Sequence, residues 1–356
     1  MRLLICAGGT GGGVYPALTV SKTLSKSGHQ LLWVGSEGGM EASLVERAGI
    51  PFEVIPAAGV HGVAIAKLPG NIYRLVSGYQ AAKKILAKFQ PDVLLFTGGY
   101  VAIPMALAAR GRKSLLFVPD IEPGLALKTL ARFASIIAVS TEESRKFFSN
   151  QKKVNVTGYP LRDELKNWDK ARGLAFFKFD HTIPTILFQG GSSGARSINQ
   201  ALLGILDKLV EHYQVIHLTG NLDWETVSEQ TAHLGSRYKA FNYLHEVGAA
   251  LAAADLVVSR AGASCLGEYP YFSLPAILIP YPYAWRYQKV NADYLAERGA
   301  AVILDDAKLG QELLPTIGQI FSEEGKLAKM SQAMASLRQT DAAEKIAALI
   351  NGIVEA

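Results

Sequence analysis

Cysteine is scarce in this sequence, and long apolar runs are absent. Its 356 residues include only 2 cysteines. These residues, Cys6 and Cys265, lie in or beside apolar segments, so the sequence indicates neither a disulfide framework nor a cysteine metal site. No segment approaches the roughly 20 apolar residues that span a bilayer, and no secretory signal precedes the first apolar run. We therefore expect a cytosolic protein.

Charged residues are also few, at 19% against 49% hydrophobic residues. This composition argues against disorder, and the length is typical of about two domains. The net charge of +5 favours anionic ligands or an anionic membrane surface. Zinc-finger spacing and aromatic RNA-binding patterns are missing, so the sequence does not indicate a nucleic-acid partner.

Short apolar runs alternate with helical segments from one end of the chain to the other. Continuous runs such as residues 93–96 and 256–258 are typical of parallel strands buried on both faces. Their alternation with helices predicts doubly wound α/β sheets, in which ligands bind at the carboxyl ends of the strands. The predicted strands are residues 2–7, 31–35, 52–56, 93–97, 114–118, 136–139, 185–189, 214–218, 256–259, 275–279 and 301–304.

Helical periodicity fills the intervals between strands, as at residues 17–27 and 197–211. Gly158 and Pro160 interrupt regular structure near the middle of the chain. They predict a domain boundary near residues 157–162.

The helix predicted over residues 72–89 is amphipathic, with Ile72 and Val76 on its apolar face. Two interpretations remain open: the helix packs on the core, or the region 63–84 binds an anionic membrane surface. The basic residues of the helix are Arg74, Lys83, Lys84 and Lys88.

Two glycine-rich loops each follow a predicted strand and precede a helix. They are residues 8–13 and residues 190–194. Glycine allows the backbone to approach a ligand closely, and the N–H groups at the start of the next helix favour a phosphate. The alternative for the second loop is a tight turn without a ligand.

Polar residues follow two later strands of the second half. Glu268 comes after the small residues 259–267, so it can accept two ribose hydroxyls, or it can be a solvated carboxylate near a helix start. Arg286, Gln288 and Asn291 follow the next strand and suit sugar hydroxyls and phosphate, or they belong to an exposed loop and helix start. In the first half, Asp120 and Glu122 follow a strand and act either as a general base or as loop caps.

With these residues in view, the sequence resembles the MurG family of bacterial N-acetylglucosamine transferases over nearly its whole length. The resemblance implies a GT-B fold with two Rossmann-like doubly wound domains and a cleft between them. The first domain would comprise residues 1–160 and a last helix at about 340–356, and the second residues 161–339. The matching stretches are residues 8–12, 39–42, 48–51, 98–100, 123–125, 190–192, 194–199, 254–256 and 259–263, with Gln288 and Asn291.

The same resemblance implies that UDP-N-acetylglucosamine binds mainly to the second domain. Glu268 would hold the ribose, Leu244 would border the uracil, and Ser192 would contact the diphosphate. Gln288 would contact the sugar, and Arg162 would face the cleft from the hinge. The loop around the ribose would be Ala263, Ser264, Cys265, Leu266 and Gly267, and the first domain would contribute Thr10, Gly11 and Gly12.

The sequence departs from the family pattern at the expected catalytic base. A histidine is usual where this chain has Gly13, and another where it has Tyr283; the family's His-Glu-Gln-Asn stretch is replaced at residues 117–120. We therefore expect Asp120 to be the base, with Glu122 next. Alternatively, Asp120 replaces the family's asparagine and hydrogen-bonds the sugar or the loop.

The resemblance predicts an inverting transferase of peptidoglycan synthesis, which acts on a lipid-linked N-acetylmuramyl-pentapeptide as a peripheral protein on the cytoplasmic face of the membrane. We expect no metal and no cofactor, because no Asp-x-Asp motif follows a strand and helix N-termini can stabilise a leaving diphosphate. The alternatives are a transferase with a different acceptor, a UDP-N-acetylglucosamine 2-epimerase and a non-catalytic nucleotide-sugar-binding protein.

Overall fold

The structure, a computed structural model, describes residues 1–9, 11–25, 28–39, 41–59, 68–191, 194–282 and 287–355. The chain divides into two compact units. Unit 1 comprises Met1–Leu161 and Thr340–Ala356, and unit 2 comprises Arg162–Gln339. Each unit contains one parallel sheet whose strands alternate with helices.

Among its described residues, unit 1 has seven strands and, before the chain enters unit 2, five α-helices. The strands are β1 (Arg2–Ala7), β2 (Gln30–Ser36), β3 (Phe52–Ile55), β4 (Val93–Gly98), β5 (Ser114–Val118), β6 (Ile136–Val139) and β7 (Val154–Val156). The helices are α1 (Gly11–Ser25), α2 (Glu41–Arg47), α3 (Leu68–Phe89), α4 (Ala102–Ala108) and α5 (Leu125–Ala131).

Unit 2 contains a six-stranded sheet. Its strands are β8 (Thr185–Gln189), β9 (Gln214–Leu218), β10 (Tyr238–Phe241), β11 (Leu256–Ser259), β12 (Ala276–Leu278) and β13 (Ala301–Ile303). Its helices are α6 (Lys170–Phe177), α7 (Arg196–Leu203), α8 (Leu206–Val210), α9 (Trp224–Gln230), α10 (Val247–Ala253), α11 (Glu268–Phe272), α12 (Tyr287–Glu297), α13 (Leu309–Ser322) and α14 (Lys326–Ser336). The last helix, α15 (Ala342–Glu355), returns to unit 1, where it packs on α1 and β5.

The strand orders confirm the predicted doubly wound sheets. They are β3-β2-β1-β4-β5-β6-β7 in unit 1 and β10-β9-β8-β11-β12-β13 in unit 2. In each sheet the order reverses beside the first strand, between β1 and β4 and between β8 and β11. Such switch points open a crevice outside the carboxyl ends of the strands, where ligands bind.

The predicted strands are all present, but two further strands were missed. These are β7 and β10, at the edges of the two sheets. Both are short and carry a polar residue, Asn155 or Lys239, as edge strands commonly do. The prediction of one continuous helix over residues 197–211 was wrong, because Gly204 and Ile205 separate α7 from α8.

The buried residues of helix α3 begin at Gly78 and continue with Ala82, Ile85 and Leu86. A Cβ atom at Gly78 would lie 2.1 Å from the Pro56 carbonyl oxygen, so glycine permits the close contact. The first half leaves Ile72, Tyr73 and Val76 exposed at 53%, 73% and 52%. The interpretation that placed Ile72 and Val76 in the core was therefore wrong. Residues 63–67, the first part of the predicted membrane region 63–84, lie outside the described residues.

His217 of β9 forms the centre of a buried polar cluster in unit 2. Its Nδ1 lies 2.8 Å from the Tyr238 hydroxyl, and its Nε2 lies 2.9 Å from Asn199 Oδ1. The side chain is fully buried. Burial lowers the pKa of His217 to about 3, although Asp223 acts in the opposite direction. The imidazole is therefore neutral in the folded protein.

We expect the free energy of unfolding to fall as the pH decreases from about 6.5. The pKa of His217 is lower in the folded chain than its ordinary value of 6.5, so the unfolded chain binds more protons between these values. The associated stability is complete above pH 6.5 and is lost on acidification, by at most about 1.4 kcal/mol per pH unit. Denaturant titrations at pH 7 and 5.5 measure this, and His217→Gln should have a smaller slope. Equal slopes would assign the effect to other groups.

Candidate functional site

The crevice of unit 2 lies outside β8 and β11. Gln189 and Ser259 are register partners at the ends of these strands. The glycine-rich loop 190–194 follows β8, and residues 260–267 follow β11. The two segments that the sequence analysis singled out thus follow neighbouring strands at one switch point.

The glycine-rich loop of unit 2 has room only for glycine at two positions. A Cβ at Gly190 would lie 2.2 Å from the Ala195 nitrogen, and one at Gly194 would lie 2.2 Å from the Thr219 carbonyl oxygen. Gly194 also has a positive φ of 80°. The loop leads into α7 at Arg196, whose first N–H groups suit a phosphate. Ser192 lies outside the described residues.

Glu268 begins α11, directly after a 3₁₀ turn at Ala263–Leu266 and Gly267. Its side chain is 10% exposed, and its Oε1 accepts a hydrogen bond of 3.0 Å from Arg162 Nη2. A carboxylate offers about four lone-pair sites, so this ion pair leaves acceptor capacity for a ligand. Of the predicted loop residues, Ser264 is partly exposed and Ala263, Cys265, Leu266 and Gly267 are buried.

The remaining predicted residues of unit 2 differ in their roles. Leu244 is partly buried in the segment after β10. Gln288, in the first turn of α12, accepts a hydrogen bond of 2.9 Å from the Tyr281 backbone N–H. Asn291 is fully buried and donates to the Ala261 carbonyl oxygen at 3.0 Å, so it holds the segment after β11, and its contact with a sugar stays a prediction. Tyr283 and Arg286 lie outside the described residues.

The crevice of unit 1 lies between two touching glycine loops. A Cβ at Gly99, whose φ is 85°, would lie 2.5 Å from the Gly8 carbonyl oxygen. Gly11 and Gly12 form the start of α1, so their N–H groups belong to its N-terminus. Thr10 lies outside the described residues.

Gly13 lies against β4. A Cβ at Gly13 would lie 3.0 Å from the Thr97 carbonyl oxygen. Any larger residue at this position would be tightly packed, which fits the glycine found here.

Asp120 and Glu122 lie in the segment after β5, which Ser140 Oγ holds by donating to the Pro119 carbonyl oxygen at 2.7 Å. Asp120 is partly exposed. The Glu122 side chain is 10% exposed and forms an ion pair of 3.2 Å with Lys128 Nζ. The two carboxylates therefore have different surroundings, and Asp120 is the more accessible.

Two family descriptions match most of the chain. The glycosyltransferase family 28 N-terminal domain matches residues 3–139, and the C-terminal domain of that family matches residues 185–346. The UDP-N-acetylglucosamine–N-acetylmuramyl-(pentapeptide) pyrophosphoryl-undecaprenol N-acetylglucosamine transferase of Roseiflexus sp. (strain RS-1) is 36% identical over 420 residues, covering 99% of this chain and 95% of that protein. The chain belongs to the MurG family of glycosyltransferases.

Solved structures agree with this assignment. MurG of Acinetobacter baumannii superposes with a TM-score of 0.76 at 26% identity and covers 99% of both chains. A putative UDP-N-acetylglucosamine 2-epimerase from Listeria monocytogenes has a TM-score of 0.70 at 15% identity, covering 99% of this chain and 96% of that one. The latter likeness shows only the shared fold. The two Rossmann-like sheets are therefore those of a GT-B glycosyltransferase.

Arg260 is a residue of this MurG-family site whose role was not predicted. Its guanidinium donates to Ser197 Oγ at 2.8 Å and to the Ile279 carbonyl oxygen at 3.2 Å, and it pairs with Asp306. It also lies over the Tyr281 ring, 5.2 Å from the centroid. Arg260 thus connects the segments that follow β8, β11, β12 and β13. The sequence shows that an arginine directly follows a buried strand, but it does not show which residues that arginine contacts.

Glu41 supports the first glycine loop of unit 1 in the same way. Its carboxylate is fully buried and accepts from the Ser36 N–H at 2.8 Å, from Ser36 Oγ at 2.9 Å and from the Gly9 N–H at 3.4 Å. A Cβ at Gly8 would lie 2.6 Å from Glu41 Oε1. The sequence showed Glu41 only as part of a matching stretch.

Within the described ranges, no group of three or more His, Cys, Asp or Glu residues is arranged to hold a metal ion. Cys6 and Cys265 are both buried thiols, and burial raises the pKa of the Cys6 thiol far above its ordinary value.

Proposed function

We propose that this glycosyltransferase moves N-acetylglucosamine from UDP-N-acetylglucosamine to undecaprenyl-pyrophosphoryl-N-acetylmuramyl-pentapeptide, in peptidoglycan synthesis. The observation that carries the proposal is the 36% identity, over 99% of the chain, with a relative that bears this activity in its name. The donor would bind in unit 2 and the acceptor in unit 1.

The geometry of unit 2 supports the donor assignment. Glu268 lies at the switch point, fixed by Arg162, where it can accept the ribose hydroxyls. The loop 190–194 with Ser192, and the N-terminus of α7, would hold the diphosphate. Leu244 would border the uracil, and Gln288 would contact the sugar. The donor loop would be residues 263–267.

The transfer is a substitution at the anomeric carbon. The acceptor hydroxyl oxygen forms the new bond, and the bond between that carbon and the diphosphate oxygen breaks with inversion. Asp120 would take the hydroxyl proton, and the helix N-terminus would stabilise the charge on UDP. Thr10, Gly11 and Gly12 would act from unit 1. No step requires a cofactor.

We place the protein at the cytoplasmic face of the membrane as a peripheral protein. Ile72, Tyr73 and Val76 are exposed in the first half of α3. Exposed basic residues lie on the same helix, and this combination favours an anionic bilayer surface. They are Arg74, Lys83 and Lys84. Within the part of the chain that is described, no helix is long and apolar enough to cross a bilayer.

We expect the protein to sediment with vesicles that contain anionic lipid, and the bound fraction to decrease with salt. The double substitution Ile72→Ser, Val76→Ser should reduce binding because it removes apolar area from the surface. Leu222→Ser is the matched control, since Leu222 is 78% exposed in unit 2. Absence of binding at low salt, or equal loss with the control, would contradict this surface.

The fate of the donor tests the proposed reaction. The purified chain is incubated with UDP-N-acetylglucosamine, with and without the lipid acceptor, and the nucleotides are identified. We expect UDP release that depends on the acceptor. A new UDP-sugar without acceptor would indicate an epimerase, and binding without any conversion would indicate a nucleotide-sugar-binding protein.

A further inference from the structure

Tyr269 follows Glu268 in α11 and is 2% exposed. Its hydroxyl oxygen lies 2.9 Å from Gln189 Nε2 and 2.7 Å from Ser259 Oγ. These two residues are the register partners that end β8 and β11. One buried hydroxyl therefore joins both strand ends at the switch point.

The donor and the acceptor of each hydrogen bond in this cluster can be assigned. The Gln189 amide nitrogen only donates, so the Tyr269 oxygen accepts from it. Ser259 Oγ lies 3.0 Å from the Arg260 carbonyl oxygen and donates to it, which leaves the tyrosine proton for Ser259 Oγ. The chain of donors runs from Gln189 through Tyr269 and Ser259 to the Arg260 carbonyl. Burial raises the pKa of Tyr269, so the hydroxyl keeps the proton that this arrangement needs.

We propose that Tyr269 is a positioning residue for UDP-sugar binding. Its hydroxyl fixes the position of the diphosphate loop relative to Glu268. This inference rests on the proposed donor site. The glycine-rich loop starts at the residue after Gln189, and Glu268 is the residue before Tyr269. Because the hydroxyl bonds both strand ends, it sets the spacing between the residue that would hold the ribose and the loop that would hold the diphosphate. Tyr269 itself touches neither group.

Isothermal titration of the full chain with UDP-N-acetylglucosamine tests the inference. Tyr269→Phe removes only the hydroxyl, and we expect the Kd to rise about three- to tenfold, as for the loss of a buried hydrogen bond. Tyr238→Phe is the matched control, since it removes a buried phenol hydroxyl of unit 2 that lies 2.8 Å from His217. The control should lower Tm and leave the Kd unchanged.

Ser259→Ala provides an independent variant if Tyr269→Phe folds poorly, and it should raise the Kd in the same direction. An unchanged Kd in these variants, or an equal rise in Tyr238→Phe, would overturn the positioning role. Wild-type protein that fails to bind UDP-N-acetylglucosamine would overturn both this inference and the proposed donor. Wild-type binding with an unaffected Tyr269→Phe would overturn the inference alone.

Discussion

Asp120→Asn is expected to lower the rate of sugar transfer by a factor of about 10²–10⁴, while the Kd for the donor stays near the wild-type value. Asparagine keeps the shape and most of the hydrogen bonding of the aspartate, but it cannot take a proton. Gly13 has no side chain to serve instead. Single-turnover kinetics with saturating donor and acceptor measure the effect.

Glu122 is the competing base in the same segment. Its ion pair with Lys128 and its burial make it less available to an acceptor than the partly exposed Asp120. Glu122→Gln belongs in the same series, and Asp207→Asn, 82% exposed in unit 2, is the control. If Asp120→Asn turns over near the parent rate, Asp120 is structural, and a large loss in Glu122→Gln alone would move the base there.

Glu268→Ala is expected to weaken UDP-N-acetylglucosamine binding by about 1.5–3 kcal/mol, which corresponds to roughly 10- to 150-fold in Kd. The variant removes the acceptor for the ribose hydroxyls and leaves Arg162 without its carboxylate partner at 3.0 Å. Calorimetry on the folded variant measures the change.

Two further variants are compared with Glu268→Ala: one at its partner Arg162 and one at the surface residue Glu225. Arg162→Met should weaken binding less than Glu268→Ala, because it leaves the carboxylate in place. Glu225→Ala, on the exposed surface of α9, should bind as the wild type does. Unchanged affinity in Glu268→Ala would remove Glu268 from the site.

The sheets were predictable because their central strands are encoded locally. Runs such as residues 93–96 are apolar throughout, and both faces of β4 are buried, so the run itself identifies the strand. The edge strands β7 and β10 were not predictable in this way. Each has few residues and only partial burial, and it forms because a neighbouring strand offers hydrogen bonds.

Those parts of the candidate site that a single residue or loop identifies could be predicted from the sequence. Glycine loops after strands and Glu268 at a helix start are such features. The partners of those residues were not predictable: Arg162 is 106 residues from Glu268, and Asp306 is 46 residues from Arg260. In the sequence, Tyr269 resembles an ordinary aromatic residue of the core, and only the fold shows that Gln189 contacts its hydroxyl. Such pairs depend on the tertiary fold, which short-range pattern does not specify.

The chemical identity of the product decides whether this chain transfers N-acetylglucosamine to the lipid acceptor. The full chain is incubated with UDP-N-acetylglucosamine labelled in the sugar and with the lipid-linked N-acetylmuramyl-pentapeptide, and the lipid is extracted and analysed by NMR. We expect labelled disaccharide lipid with an inverted anomeric bond, formed in equal amount with UDP. Label that remains in the nucleotide fraction despite the acceptor, or a product with retained configuration, would contradict it.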